Sequence, residues 1–562
     1  MECRWIKPKP ANDVLIRRVA GELEIPVALA EVLVGRGLED SVAAGRYFDP
    51  KLRELSAPEE LDGIVEAVAR VDKALRDHEH IVLYGDYDVD GVTSLAFLSR
   101  VLRAFGGRVD CFLPVRAEEG YGLSPEGVER CFSQCRPDLM IAVDCGTNSV
   151  REAAMLRERG VDMIILDHHE PSGERPQAIV VNPKVSGSPL RYLCSAGVVF
   201  KLVHALFKKS PHPELDLRDY LDLVAMATVA DMVPLEGENR ILVRRGLLQL
   251  SKSRWPGLRA LMHSADVGNR PRGSDIGFRL GPRINASGRL GTALESLKLL
   301  TTEDEQEARV LAAGLERQNR ERQGVERSVA AEADDWVAKC FDPGRDASIV
   351  AGARDWHQGV LGIVASRIMR KYHRPTIVIG FGENGMGKGS GRSVEGFSLV
   401  EALTSCAGLL EKFGGHELAA GLSIREEQFE EFRGEFEKFA QSASDAEMLT
   451  PRLRLDATLA LADIDEDFLD AQDRLEPFGN GNSQPVFFAQ GVRPAAAARV
   501  LKEKHLRLEF GESRLRMAAI YFNGAEYPLP SPPWDVAFRV ERNTYQGRDE
   551  PQMQIVAIRA GE

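Results

Sequence analysis

Between Ile81 and Asp231 the chain repeatedly ends a short apolar run at an aspartate. Ile81-Val82-Leu83-Tyr84-Gly85 leads into Asp86-Tyr87-Asp88-Val89-Asp90-Gly91, Leu139–Val143 into Asp144, Met163–Leu166 into Asp167-His168-His169, and Ala227–Ala230 into Asp231. The runs 81–84, 108–112, 139–143, 162–166 and 178–181 have strand length and alternate with amphipathic stretches near 91–105, 124–134, 149–159 and 196–208. Strands separated by roughly 20 to 30 residues of helix are βαβ units, which predicts a mainly parallel sheet covered on both faces. Open sheets of this kind bind ligands beyond the carboxyl ends of their strands, where these aspartates fall.

Carboxylates and imidazoles converging on one sheet edge suit a site for two divalent metals, and such sites cleave phosphate esters. Asp86, Asp88 and Asp90 alternate, so an extended backbone would turn all three to one side. The Asp-x-Asp-x-Asp-Gly string also matches the opening of a calcium-binding EF-hand loop, but its twelfth position is Phe97 instead of Glu, and a β-run precedes it. Helix capping accounts for one of the three aspartates, hardly for all. Neutral imidazole is a preferred ligand of transition metals, so His168-His169 favours a metal reading for Asp144 and Asp167, each of which alone would suggest a helix cap. Asp231 lies in a largely apolar segment and needs a cation or strong hydrogen bonds, although an ordinary helix-end aspartate is the plainer alternative.

At 562 residues the chain exceeds one core and divides into roughly three or four domains. The expected parts are an N-terminal helical extension (1–75), a parallel-sheet domain (76–300), a connecting helix (301–345) read as mostly solvated, a second α/β domain (346–445) and a small β domain read as a barrel (450–562). The second α/β domain shows strands at Ser348–Ala351 and Thr376–Ile379, and the Ser-rich acidic stretch Gln441–Met448 reads as a linker. The amino terminus lacks a signal-peptide pattern and no apolar stretch reaches membrane-spanning length, so the expectation is a cytoplasmic protein without a membrane partner. Eight scattered cysteines fit a reducing compartment, and Cys131 and Cys135 have no matching ligand pair for zinc. A net charge of −13 argues against coating duplex DNA by bulk electrostatics, yet Arg499 to Arg516 is locally basic.

Gly382-Glu383-Asn384-Gly385-Met386-Gly387-Lys388 nearly completes a phosphate-binding P-loop, but Gly389 replaces the hydroxyl residue that would hold magnesium. Its glycines instead permit a close approach of backbone and Arg392 to a terminal phosphate. Arg283, Asn285 and Arg289 occupy what reads as a Gly- and Pro-punctuated loop, where guanidinium groups can grip phosphates. Arg116 and Tyr121 are candidates for a phosphate contact and a base-stacking platform, with packing the alternative for the tyrosine.

The aspartate and histidine segments resemble, in order and context, the four motifs of the DHH phosphoesterase superfamily. Leu280–Leu290, Trp356–Arg367, Gly389–Ser393, Gly414–Gly421 and Pro477–Asn482 are similar to its bacterial branch of single-strand-specific 5′-to-3′ DNA exonucleases, with Ser287 a minor departure. The resemblance implies an α/β fold with a DHH-type parallel-sheet catalytic domain, a long connecting helix, a second α/β DHH-associated domain and a C-terminal OB-like β-barrel. It also implies two Mn2+ or Mg2+ ions held by Asp88, Asp90, Asp144, His168 and Asp231, with Asp86 close enough to join, and His169 facing the scissile phosphate. Ser390 and Arg392 would take the 5′ phosphate, and Arg367 and His416 would join the nucleic-acid contacts. The implied activity is metal-dependent degradation of single-stranded DNA from its 5′ end to mononucleotides, in DNA repair and recombination. The expected partners are single-stranded DNA and, around a monomeric enzyme, single-strand-binding protein and a helicase. The alternative is a phosphoesterase for short oligoribonucleotides or cyclic dinucleotides, for which a barrel and an amino-terminal extension have no use. A non-catalytic scaffold conflicts with the complete ligand set.

Overall fold

The computed structural model describes residues 3–8, 12–115, 119, 122–185, 187–290, 292–511, 516–543 and 550–561. Two compact units emerge, one of residues 5–281, 297–309 and 454–562, the other mainly of 282–296 and 310–453.

The first unit is built on strands β1 (His80–Gly85), β2 (Arg108–Phe112), β3 (Leu139–Val143), β4 (Asp162–Leu166) and β5 (Ile179–Val181), all parallel, in the order β2-β1-β3-β4-β5. Strands β1 and β3 are buried from end to end, which is why they read as unbroken apolar runs instead of alternating ones. Helices Pro125–Gln134 and Val150–Glu158 bury Val128, Cys131, Ala153 and Leu156 against Val82, Tyr84, Met140, Ala142 and Ile165. Helices Val89–Ala104, Ser195–Lys209 and Leu221–Ala230 also pack in this unit and are almost wholly buried. The chain leaves β1 for β2 on one side and then crosses back past β1 to β3 on the other, so the crevice between the ends of β1 and β3 is the topological switch point.

The second unit carries β6 (Ile349–Arg354), β7 (Thr376–Phe381), β8 (Met386–Arg392), β9 (Lys412–Gly415) and β10 (Ala419–Arg425) in the order β9-β10-β8-β7-β6. The near-P-loop, residues 382–388, is the turn 382–385 between the antiparallel strands β7 and β8 together with the start of β8, not a strand-to-helix loop. The segment expected as a linker is structured: helix Phe429–Ala443 runs into it, and Met448 packs on the core that includes Phe397, Phe432 and Phe436. Its polar composition reflects the solvated face of that helix. The long helix Glu305–Cys340 is also less solvated than expected, because Val329, Ala330, Ala333 and Val337 are buried against the helix Leu361–Tyr372 and β6.

The C-terminal domain, in the first unit, is a seven-stranded sheet: β11 (Ala457–Thr458), β12 (Phe487–Val492), β13 (Arg499–Leu501), β14 (His505–Phe510), β15 (Met517–Tyr521), β16 (Trp534–Asn543) and β17 (Glu550–Ala560), in the order β11-β12-β16-β17-β15-β14-β13. The N-terminal helices do not form a separate body. Ile16, Val19, Leu29, Leu33 and Phe48 share one core with Phe468, Phe487, Phe510 and Trp534. Among the described residues no helix is long and apolar enough to cross a membrane.

Candidate metal centre and anion pocket

The strand ends bring the aspartates together as the apolar runs foretold. Asp88 caps helix Val89–Ala104, accepting from the Gly91 N–H at 3.2 Å, so capping and site geometry coexist in one residue. Gly91 is obligatory there, since a Cβ would run into the Asp86 backbone. Asp90, buried on the same turn, accepts from the backbone N–H groups of Ser195 (2.7 Å) and Ala196 (2.8 Å), which open a fifteen-residue helix. That helix start holds a negative charge by its unpaired N–H groups and dipole. Asp144 follows β3 with φ +62°, and one of its carboxylate oxygens accepts from the Ser195 hydroxyl at 2.9 Å. Asp231 caps the C-terminal end of helix Leu221–Ala230, where the dipole opposes a carboxylate. Its place is therefore a helix end and not a strand end, and neighbouring positive charge has to compensate.

His168 stands among these groups, its Nε2 3.5 Å from oxygens of Asp144 and Asp231 and 3.9 Å from Asp90. Donor atoms of Asp86, Asp88 and Asp144 lie within 4.8 Å of one another, as do those of Asp90, His168 and Asp231, and those of Asp144, His168 and His169. Burial and mutual repulsion push Asp86 and Asp144 well above the usual carboxylate range, raise Asp88, and carry Asp231 up to about 8. Among the described residues the buried Nε2 of His168 and the carboxylate oxygens of Asp86 meet no partner at good hydrogen-bond geometry. Orphaned acceptors within a crowd of carboxylates fit divalent cations, and the mixed nitrogen and oxygen donors suit manganese better than calcium.

Asp167 behaves differently from its neighbours. It accepts from the N–H groups of His168 (2.7 Å), His169 (3.2 Å) and Thr147 (3.0 Å) and from Nδ1 of His169 (2.7 Å). Although buried, it is held well below the usual carboxylate range by those bonds and the neighbouring imidazoles. Burial would depress His169, but Asp167 outweighs it and carries the imidazole up to about 9. Asn182 fixes the same corner, donating to the Thr147 hydroxyl at 2.8 Å and the His169 carbonyl at 2.9 Å. Sequence reasoning missed Ser195 and Asn182, and read Asp167 as a candidate metal ligand where the structure gives it the task of holding His169. Asp167 stood inside the histidine motif, whereas Ser195 meets Asp90 across 105 positions and no local pattern signals that pairing.

In the second unit, Ser390 and Arg392 share one face of β8. The Arg392 guanidinium donates to the Ser390 hydroxyl at 3.2 Å and to the Gly391 carbonyl at 2.6 Å, and no carboxylate pairs with it among the described residues. Burial pushes its pKa down, the mark of a cation lacking an anion. Gly362, in the first turn of helix Leu361–Tyr372, faces the pair, and a Cβ there would come to 3.0 Å from both the Arg392 guanidinium and the Ser390 hydroxyl. Arg289 donates to the Gly359 carbonyl at 2.9 Å just before that helix. Arg283, Asn285 and Arg289 lie on a helix, Gly281–Leu290, and not on the expected loop; the π-helical turn Ile276–Leu280 runs directly into it, and that widened turn accommodates Pro282, which has no N–H to donate. Arg283 is ion-paired with Glu316 at 2.6 Å, and Asn285 is half-buried. Arg367 and His416 are exposed. Arg116 and Tyr121 lie outside the described residues.

Comparison with known proteins agrees with this architecture. Residues 80–228 match the DHH family N-terminal domain, 346–442 the DHHA1 domain and 455–557 the RecJ OB domain. The single-stranded-DNA-specific exonuclease RecJ of Bacillus subtilis is 34% identical over 98% of this chain and 70% of that protein. Its namesake from Thermus thermophilus is 36% identical over 92% of this chain and 73% of that one. The crystal structure of RecJ from Thermus thermophilus in complex with Mn2+ superimposes with a TM-score of 0.86 at 33% identity, covering all of this chain and 80% of that one, and the Mg2+ complex with 0.80. By its three matched domains and its near-full-length identity to these proteins, the chain belongs to the RecJ family of DHH phosphoesterases.

Proposed function

We propose that this protein is a manganese- or magnesium-dependent exonuclease that hydrolyses single-stranded DNA from its 5′ end, releasing mononucleotides. The observation that carries the reading is the paired donor set around Asp144, a crowd of carboxylates buried at a switch point and raised by burial and by one another. Asp86, Asp88 and Asp144 would hold one ion, and Asp90, Asp144, His168 and Asp231 the other. Bound there, such ions lower the pKa of a coordinated water and offset charge on the phosphate oxygens. The residues supply the remainder. Asp167 orients His169 and keeps its Nδ1 proton in place, so the charged imidazole faces the scissile phosphate and stabilises negative charge developing there.

Hydrolysis that breaks the bond from phosphorus to the 3′ oxygen releases a nucleotide and leaves a new 5′ phosphate on the shortened strand. Ser390 and Arg392, with the start of helix Leu361–Tyr372, form a pocket suited to that group, which accounts for polarity. Arg289, Arg283, Asn285, Arg367 and His416 would contact the strand further along, together with Arg116 and Tyr121. The exposed Arg499, Lys502, Lys504 and Arg507 would track it over the C-terminal sheet. A monomer working in the cytoplasm on strands freed by a helicase or coated by single-strand-binding protein fits this role. Short oligoribonucleotides or cyclic dinucleotides would leave the C-terminal sheet without a task.

The test is digestion of 5′-phosphorylated and 5′-hydroxyl single strands, duplex and dinucleotides in manganese. The expected outcome is mononucleotides from single strands alone, no activity with Asp144→Ala, and a KM raised at least tenfold for the phosphorylated strand with Arg392→Ala. Equal digestion of duplex, or turnover of dinucleotides alone, would overturn the assignment.

A further inference from the structure

The turn after Asp231 is held from outside the parallel-sheet domain. Asn480, in the Pro477–Asn482 loop of the C-terminal domain, donates its side-chain amide to the Met232 carbonyl at 2.7 Å and accepts from the Leu235 N–H through its own carbonyl at 2.7 Å. Met232 has φ +59°, a left-handed conformation that a non-glycine residue adopts at a cost and keeps only where neighbours hold it. Gly479 lies so close to Leu235 that a Cβ would come to 2.6 Å from its side chain, and Gly481, at φ +72°, abuts Pro234. The loop is braced in turn by Asn482, whose amide donates to the Leu475 and Pro477 carbonyls and whose oxygen accepts from the Tyr47 hydroxyl at 2.6 Å and from Arg36 at 2.5 Å. On its other side the turn is pinned by Asn239, which donates to the Pro234 carbonyl at 2.9 Å.

We propose that Asn480 is a positioning residue for Asp231: the C-terminal domain, through this loop, sets the carboxylate that completes the Asp90–His168–Asp231 group. The inference rests on the metal reading of that group. A helix C-terminus disfavours a largely buried carboxylate, so Asp231 adopts its pose only if the following turn is fixed, and among the described residues both hydrogen bonds that reach this turn from the C-terminal domain belong to Asn480. The arrangement makes the domain that is expected to hold the strand a determinant of the metal centre as well. Asn480 is exposed, so its replacement leaves no cavity.

The experiment is a manganese titration of the full chain without DNA, followed by the electron paramagnetic resonance signal of free Mn2+, on wild type, Asn480→Ala and Asn480→Pro, which also removes the freedom of the loop backbone. Leu508→Ala, in the core of the C-terminal sheet, serves as a destabilised control. The expected result is two ions on the wild type, one of them weakened about tenfold in Asn480→Ala and further in Asn480→Pro, with the other unchanged. The metal-free melting temperature of Asn480→Ala should stay near that of the wild type, and Leu508→Ala should melt earlier yet bind both ions normally. If both Asn480 variants bind two ions as tightly as the wild type, the positioning role is wrong while the metal reading stands. Failure of the wild type itself to bind manganese overturns that reading, and this inference with it.

Discussion

Two aspartates of similar burial, Asp167 and Asp222, illustrate how surroundings decide what a carboxylate does. Asp167 is saturated with donors and stays ionised, so its work is to hold His169. Asp167→Asn preserves shape but removes the charge facing Nδ1. The expected outcome is a kcat on single-stranded DNA lower by about ten- to a hundredfold with manganese affinity little changed, read by steady-state kinetics beside metal titration. Asp222, on helix Leu221–Ala230, accepts from the Ser253 hydroxyl at 2.7 Å and the Leu223 N–H at 2.8 Å, but burial outweighs these bonds and pushes it up to about 7. An unfolded aspartate titrates near about 3.9, so between about pH 4 and 7 the folded chain binds the extra proton. Stability contributed by this group is therefore present at low pH and lost as pH rises through that window, by an amount on the order of 3–4 kcal/mol. Asp222→Asn should melt at a higher temperature than the wild type at pH 8, the difference shrinking toward pH 5. A difference independent of pH would contradict this assignment.

At the scale of elements, legibility followed burial. Strand β3 begins and ends where its apolar run does, since a strand buried on both faces has no polar residue to blur its limits, and β4 is buried after Asp162; β2 is legible instead by alternation, with Arg108 and Asp110 exposed and Val109 and Phe112 buried. Strands β8, β9 and β10 were invisible as strands because glycines usually signal loops: Met386-Gly387-Lys388-Gly389-Ser390-Gly391-Arg392 has almost no apolar pattern. The glycines answer a packing demand that only the fold reveals. A Cβ on Gly389 would stand 2.9 Å from the Ile379 and Leu422 side chains. Helix Gly281–Leu290 was hidden in the same way by Gly, Pro and Ser. The metal donors, by contrast, were readable because each ends an apolar run, while Ser195 and Asn480 act over distances along the chain that no local pattern encodes. Gly389→Val should cost about 1–3 kcal/mol through overpacking. Since β8 carries Ser390 and Arg392, the same variant should also lose discrimination between 5′-phosphate and 5′-hydroxyl ends, checked by competing the two substrates.

At the scale of the first unit, the beginning and end of the chain fold together, and the joint converges on one arginine. Arg240, on helix Gly237–Leu250, donates to the carbonyls of Tyr47 at 2.8 Å, Arg474 at 3.3 Å and Glu476 at 3.0 Å, and stacks its guanidinium 3.5 Å from the centre of the Tyr47 ring. It thus ties the N-terminal helices, the parallel-sheet domain and the C-terminal domain at one point. Burial lowers its pKa to about 10, yet it remains charged at neutral pH, and the carbonyls replace the water it gave up. Arg240→Met would keep much of the stem's packing while taking this donor from the Tyr47 and Arg474 carbonyls, Glu476 keeping Arg244 at 3.0 Å, at about 1–3 kcal/mol for each that stays buried and unpaired. The shared core of Leu29, Leu33, Phe48, Phe468 and Phe487 is untouched by the change, so the N-terminal helices and the C-terminal sheet should remain joined to each other. What weakens is their hold on the parallel-sheet domain. Calorimetry of the variant should therefore show an early transition separated from a later one, where the wild-type unit melts in one step. Because Asn480 reaches Met232 across this same joint, manganese affinity should fall along with the early transition. A single, uniformly lowered transition would mean instead that the parallel-sheet domain depends on its neighbours throughout.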